Sequence, residues 1–171
     1  LLVECKAIGT ELKDTHLRQA VGYGANKGIK WIALTNGVDW QLYRMRFEQP
    51  IAWDLVDRFD MLDGSVKDQR FIDSLYLMSR EGVEKNAREE VFEKIQCVNR
   101  FVIGNILLSE PVVSTVRREL RRLASGIKIE DEEIAALIRE SVLRRDLVEG
   151  EDAAAACAKV QKLYKSAAVS K

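Results

Sequence analysis

The sequence predicts an α/β chain: a mixed β-sheet with a flanking helix, followed by an all-helical C-terminal region. Three observations predict it. The apolar start Leu1-Leu2-Val3 runs into Glu4-Cys5-Lys6 and is followed by a helical stretch. Asn36-Gly37 parts two strand-like runs with a two-residue turn signal. From about Lys67 onward, apolar residues recur at helical rather than alternating spacing.

Taken in order, residues 1–8 read as an apolar strand, with Gly9 opening a short loop over 10–13. Asp14 or Thr15 is placed to cap a helix running to about Ala25, with Gly28 beyond its end. Residues 29–36 (IKWIALTN) form a second strand, and Asp39 to Phe47 returns as its hairpin partner, closed by Pro50. Residues 51–62 (IAWDLVDRFDML) read as a further strand or an extended excursion. In 67–79, Phe71, Leu75 and Met78 keep helical spacing. Val83 to Leu108 reads as one long amphipathic run with Ala87, Val91, Ile95, Val98 and Val102 on one stripe. Ser109 is a suitable N-cap and Pro111 suits the first turn of a helix to Ala124 that stops at Gly126. Glu130 to Glu133 suit the start of a helix over 129–145. Gly150 then precedes a last helix from Asp152 to about Ala167. The break between the sheet-forming part, 1–65, and the helical part, 66–171, is expected near Asp63-Gly64-Ser65.

Composition narrows the function classes. Hydrophobic residues make up 47% and charged residues 32% of the chain, enough apolar material for a core. No apolar run approaches the length of a membrane span. The formal net charge is zero, so any contact with a nucleic acid must come from a local patch. Cys5, Cys97 and Cys157 have neither metal-ligand spacing nor a disulfide framework, which fits a reducing, cytoplasmic setting. Cys5 is expected on the buried face of its strand as a small core residue, and His16 at the surface or in a cap. No GxxxxGK[ST] phosphate loop is present, so this chain is not expected to hydrolyse ATP.

The candidate chemistry lies at the start. Glu4 and Lys6, two residues apart on a strand, project from one face. Gln19 and Tyr23, four apart, share a face of the following helix. A carboxylate beside an ammonium at a sheet edge suits metal-assisted phosphodiester cleavage, the acid holding a divalent cation and the lysine orienting or deprotonating water.

Glu4-Cys5-Lys6 resembles the (D/E)xK half of the PD-(D/E)xK nucleases, and Gln19 to Tyr23 resembles the QxxxY element of RecB-like nucleases. With Trp31-Ile32-Ala33-Leu34-Thr35-Asn36-Gly37 and Trp40-Gln41-Leu42-Tyr43, the stretch from Leu1 to about Phe47 most resembles the N-terminal (HSDR_N-type) nuclease domain of type I restriction endonucleases. The resemblance implies a restriction-endonuclease-like mixed sheet and Mg²⁺-dependent DNA endonuclease activity. It makes Glu4 a metal ligand, the Cys5 carbonyl a further one and Lys6 the catalytic lysine, with Gln19 and Tyr23 positioning Lys6 or the DNA backbone. In that family a further acid, commonly in a Pro-Asp pair, precedes the ExK strand, so upstream strands and that acid are expected before Leu1. The partners implied are DNA, with restriction-modification subunits or a second copy. The other reading is a catalytically inactive nuclease-fold protein that serves as a nucleic-acid-binding or protein-interaction module.

Two further clusters stand out. Asp54, Asp57, Asp60 and Asp63 recur every three residues, a pattern open to a second metal site but equally suited to a solvated face. Arg117 and Arg121 share a helix face and are candidates for DNA phosphate contacts. The neighbouring Glu119 and the acids at 130–133 favour salt bridges within the chain instead.

Overall fold

The computed structural model describes residues 1–124, 126 and 128–169, with side chains through Tyr164. The chain divides into two compact units, Leu1–Ile95 and Gln96–Lys171.

The first unit is built on a four-stranded mixed sheet of β1 (Leu2–Cys5), β2 (Trp31–Thr35), β3 (Asp39–Arg46) and β4 (Ala52–Asp60), in sequential order. β1 and β2 run parallel, and β2, β3 and β4 are antiparallel neighbours. A parallel pair needs a crossover, which is supplied by helix α1 (Asp14–Asn26). Helix α1 lays Leu17, Ala20 and Val21 on Ile32, Leu34 and Met45, with Leu2, Tyr43 and Trp53 around them. Its N-cap is Lys13 rather than Asp14 or Thr15, and the Lys13 backbone N–H donates to His16 Nδ1 at 3.3 Å. His16 therefore takes the capping role expected of it.

The β2–β3 turn owes its shape to Asn36. Gly37 adopts φ 89°, a conformation glycine takes without steric cost. Asn36 Oδ1 accepts from the backbone of Val38 and Asp39, while its Nδ2 donates to Thr10 O at 2.9 Å. The turn thus also holds the loop that leaves Lys6.

The opposite face of the sheet is covered by α2 (Gln69–Met78) and α4 (Ala87–Cys97), joined by the short α3 (Arg80–Glu84). Trp31, Leu42 and Val56 meet Leu77, with Met78, Ala87, Val91 and Phe92 packed around them. Glu89 clasps this layer: it accepts from Trp31 Nε1 and from Arg44 Nε, both at 3.1 Å. The Arg44 guanidinium also lies over the Trp31 ring, 5.4 Å from its centroid. The break expected near 63–65 is accordingly not where the compact unit ends. The helices after it close the second face of the sheet, because β2 is apolar on both sides.

Two further expectations change for local reasons. The run from Val83 to Leu108 is three helices, not one. Asn86 takes φ 57° between α3 and α4, and Asn99 caps α5 (Arg100–Leu107) by accepting from Phe101 and Val102 N–H. Val98, on the expected apolar stripe, is consequently exposed. The helix expected over 129–145 is α7 (Asp131–Leu137) followed by a π-turn at Ile138–Val142 and a 3-10 turn at Arg145–Leu147.

The second unit also contains α6 (Glu110–Leu123) and α8 (Glu151–Val169). Its core forms where Val102 of α5 meets Ala156 and Val160 of α8, flanked by Phe101, Ile106 and Tyr164. No helix among the described residues is long and apolar enough to cross a membrane.

The two-sided burial of β2 predicts the stability ranking. Leu34→Ala, at a side chain 1% exposed, should cost about 2–5 kcal/mol in urea denaturation. Leu55→Ala, at 50% exposed, should cost less than about 1 kcal/mol. Equal losses would mean that the helices do not close over β2.

Candidate active site

The alternation of β1 places Leu2, Glu4 and Lys6 on the face that α1 covers. Leu2 enters the core. Glu4 and Lys6, nearer the end of the strand, keep side chains about one-fifth exposed (20% and 21%). Lys6 lies one residue past β1, yet its N–H still donates to Thr35 O at 2.8 Å, so its backbone remains tied to β2.

Lys6 Nζ donates to Glu4 Oε1 at 2.7 Å and to Gln19 Oε1 at 3.4 Å. Gln19 reaches it because α1 buries Leu17, Ala20, Val21 and Gly24 and leaves Gln19 on its flank. The structure thus brings together three of the four residues expected at the site. Tyr23 lies one turn further along α1 with its side chain open to solvent, 55% exposed.

Cys5 departs from expectation, since its side chain is exposed. The helices of the second layer cover β2, β3 and β4, leaving the outer face of β1, with Val3 and Cys5, uncovered. The parallel ladder uses the even-numbered residues of β1, as the bond from Lys6 N–H to Thr35 O requires. Cys5 therefore turns its carbonyl to the edge of the sheet away from β2.

The Glu4 carboxylate and the Cys5 carbonyl are hard oxygen donors on adjacent residues. Two such donors fit magnesium, which keeps several waters and binds through one or two carboxylates together with substrate phosphate. Among the described residues, no group of three or more His, Cys, Asp or Glu side chains is arranged to hold a metal.

Two of the three aspartates of β4 have structural partners, whereas Asp57 Oδ2 is buried without a hydrogen-bond partner among the described residues. Asp54 accepts from Arg46 Nε at 2.8 Å, and Asp60 accepts from the backbone N–H of Leu62 and Asp63. In the second unit Arg117 is held by Asp131 at 3.2 Å, and Arg118 and Arg122 both meet Glu119. Arg121 is exposed and makes no ion pair among the described residues. The salt-bridge reading of this helix therefore accounts for Arg117, leaving Arg121 as the candidate for contact with a phosphate.

The sequence reading missed two contributions near the site. One is the anchoring of the loop after Lys6 by Asn36, for which the Asn-Gly pair marked only a turn. The other is a polar pair on the face of the sheet that α1 packs on, where Tyr43 Oη donates to Gln41 Oε1 at 2.7 Å. No family model, curated protein or solved structure matches the chain.

Burial pushes the Tyr43 phenol above its ordinary pKa of 10.0; the Arg58 cation opposes that shift, and the Asp14 and Asp39 carboxylates add to it. Because the folded state holds the proton more tightly, this contribution to stability is complete below about pH 10 and is lost as pH rises through the folded value. Tyr43→Phe should flatten the fall in unfolding free energy between about pH 9 and about pH 11. An unchanged slope would place the alkaline titration elsewhere.

Proposed function

We propose that the first unit is the core of a Mg²⁺-dependent DNA endonuclease of the type I restriction R-subunit kind. The observation that carries this reading is the meeting of Lys6 Nζ with both the Glu4 carboxylate and the Gln19 amide. Two separate elements, a strand and a crossover helix, converge on one ammonium. The sequence elements that resemble the nuclease motifs are the ones that converge.

Each side chain has a role that follows from its place. The Lys6 ammonium offsets the negative charge that grows on a phosphoryl oxygen as water adds to phosphorus and one P–O ester bond breaks. Glu4 fixes the lysine and, with the Cys5 carbonyl, would hold the magnesium ion. When bound, that ion supplies Lewis-acid polarisation of the phosphate and lowers the pKa of water. Gln19 holds Lys6 from the helix side, and Tyr23 serves DNA contact; Arg121 of the second unit is a separate candidate for a phosphate.

A second reading has its own observation: Glu4 is the one carboxylate that touches Lys6 among the described residues. On that reading the unit is a catalytically silent module that binds nucleic acid or a protein.

Plasmid cleavage separates the two. The full native protein should nick or linearise plasmid DNA with magnesium and not with EDTA. Lys6→Ala and Glu4→Gln should each lower the rate by about 10²-fold or more. Intact plasmid with the wild-type protein, alongside retained DNA binding, would replace the endonuclease with the silent module.

A further inference from the structure

The chain is neutral overall, yet its longest run without Asp or Glu extends from Thr15 to Val38. That stretch takes in α1 after its first residue, Asp14, and the turn that follows. Leu17, Ala20, Val21 and Gly24 face the sheet, which leaves Gln19, Gly22, Tyr23 and Asn26 exposed, with Lys27 at the C-cap. Gln19, Tyr23 and Lys27 follow one another at four-residue steps and span about 12 Å along the helix. Lys30 lies just beyond. The line begins at Lys6, which Gln19 touches.

The lysines on this face differ from the arginines of α1 and the strands. Arg18, Arg44, Arg46 and Arg58 are paired with Asp14, Glu89, Asp54 and Asp39. Lys27 and Lys30 are exposed and make no ion pair among the described residues. Gly22 adds an independent mark. A glycine inside a helix weakens it, and here neither its dihedral angles nor its space calls for one, since an added Cβ would meet nothing within 4 Å. Its bare backbone keeps the surface beside Tyr23 low.

We propose that this face of α1 is a track for a DNA strand leaving the Lys6 site. Phosphates beyond the one at Lys6 contact Lys27 and Lys30, and the backbone of the strand passes close over Gly22. The proposal rests on the nuclease reading for its starting point at Lys6, but its signature is electrostatic binding rather than cleavage.

The test is fluorescence anisotropy of labelled duplex and single-stranded oligonucleotides with the full chain in EDTA, across a salt series. Removing two phosphate contacts with Lys27→Ala/Lys30→Ala should reduce the slope of log K against log salt by about 1.8 on duplex or about 1.4 on a single strand. The arm that loses slope identifies the form of DNA on the track. Lys67→Ala, at an exposed lysine outside this face, should leave the slope as it is. Gly22→Ala should raise the melting temperature while weakening binding. A double variant with wild-type slope on both oligonucleotides, or a wild-type protein that binds neither, overturns the track. A raised melting temperature with unchanged affinity overturns the close passage over Gly22. Lysine-dependent binding by a protein that leaves plasmid intact in magnesium would remove the endonuclease reading and keep the track. Cleavage with an unchanged slope would do the reverse.

Discussion

Every other feature of the first unit follows from the burial of β2. All of its residues, Trp31 to Thr35, are buried, so both faces must be covered and both edges paired. Parallel pairing with β1 forces a crossover, and α1 is the helix that makes it. Its apolar stripe, Leu17, Ala20 and Val21, sits on Ile32 and Leu34, and that seating brings Gln19 to Lys6. The geometry of the candidate site is thus a by-product of closing the core over a strand that is apolar on both sides.

The second face has a different solution. It is closed by helices that arrive late in the chain, and the Trp31–Glu89–Arg44 clasp holds them. Glu89 satisfies an indole N–H and a guanidinium that would otherwise be left poorly partnered near the core. Cover on this side does not reach β1. Its outer face, with Val3 and Cys5, and its outer edge both remain open.

Charge is distributed by pairing rather than by excess. Most arginines of the first unit are held by a carboxylate, several of them across strands, so the zero net charge is largely internal bookkeeping. What departs from it is local: an acid-free segment that begins in α1 and carries unpaired lysines past its end. Local departures of this kind matter more for association with a polyanion than the total, because screening confines each charge to its neighbourhood.

The sequence by itself determined the local elements. The alternation around Glu4 and Lys6, the Asn36-Gly37 turn and the α1 stripe with Gln19 and Tyr23 on its flank are short-range consequences of side-chain spacing. The β4 strand remained open between two descriptions, since its alternation is broken by the bulge opposite Leu42 and Tyr43. Tertiary structure decided what spacing cannot encode. Cys5 lies on an apolar strand, but whether its face is buried depends on how far α2 and α4 extend across the sheet. Arg117 and Arg121 are alike in sequence, and only the placement of Asp131 separates the paired one from the other. The extent of the first unit, to Ile95, is a property of which helices β2 recruits for its second face. Periodicity reports which side of an element is apolar; it does not report which distant segment arrives to cover it.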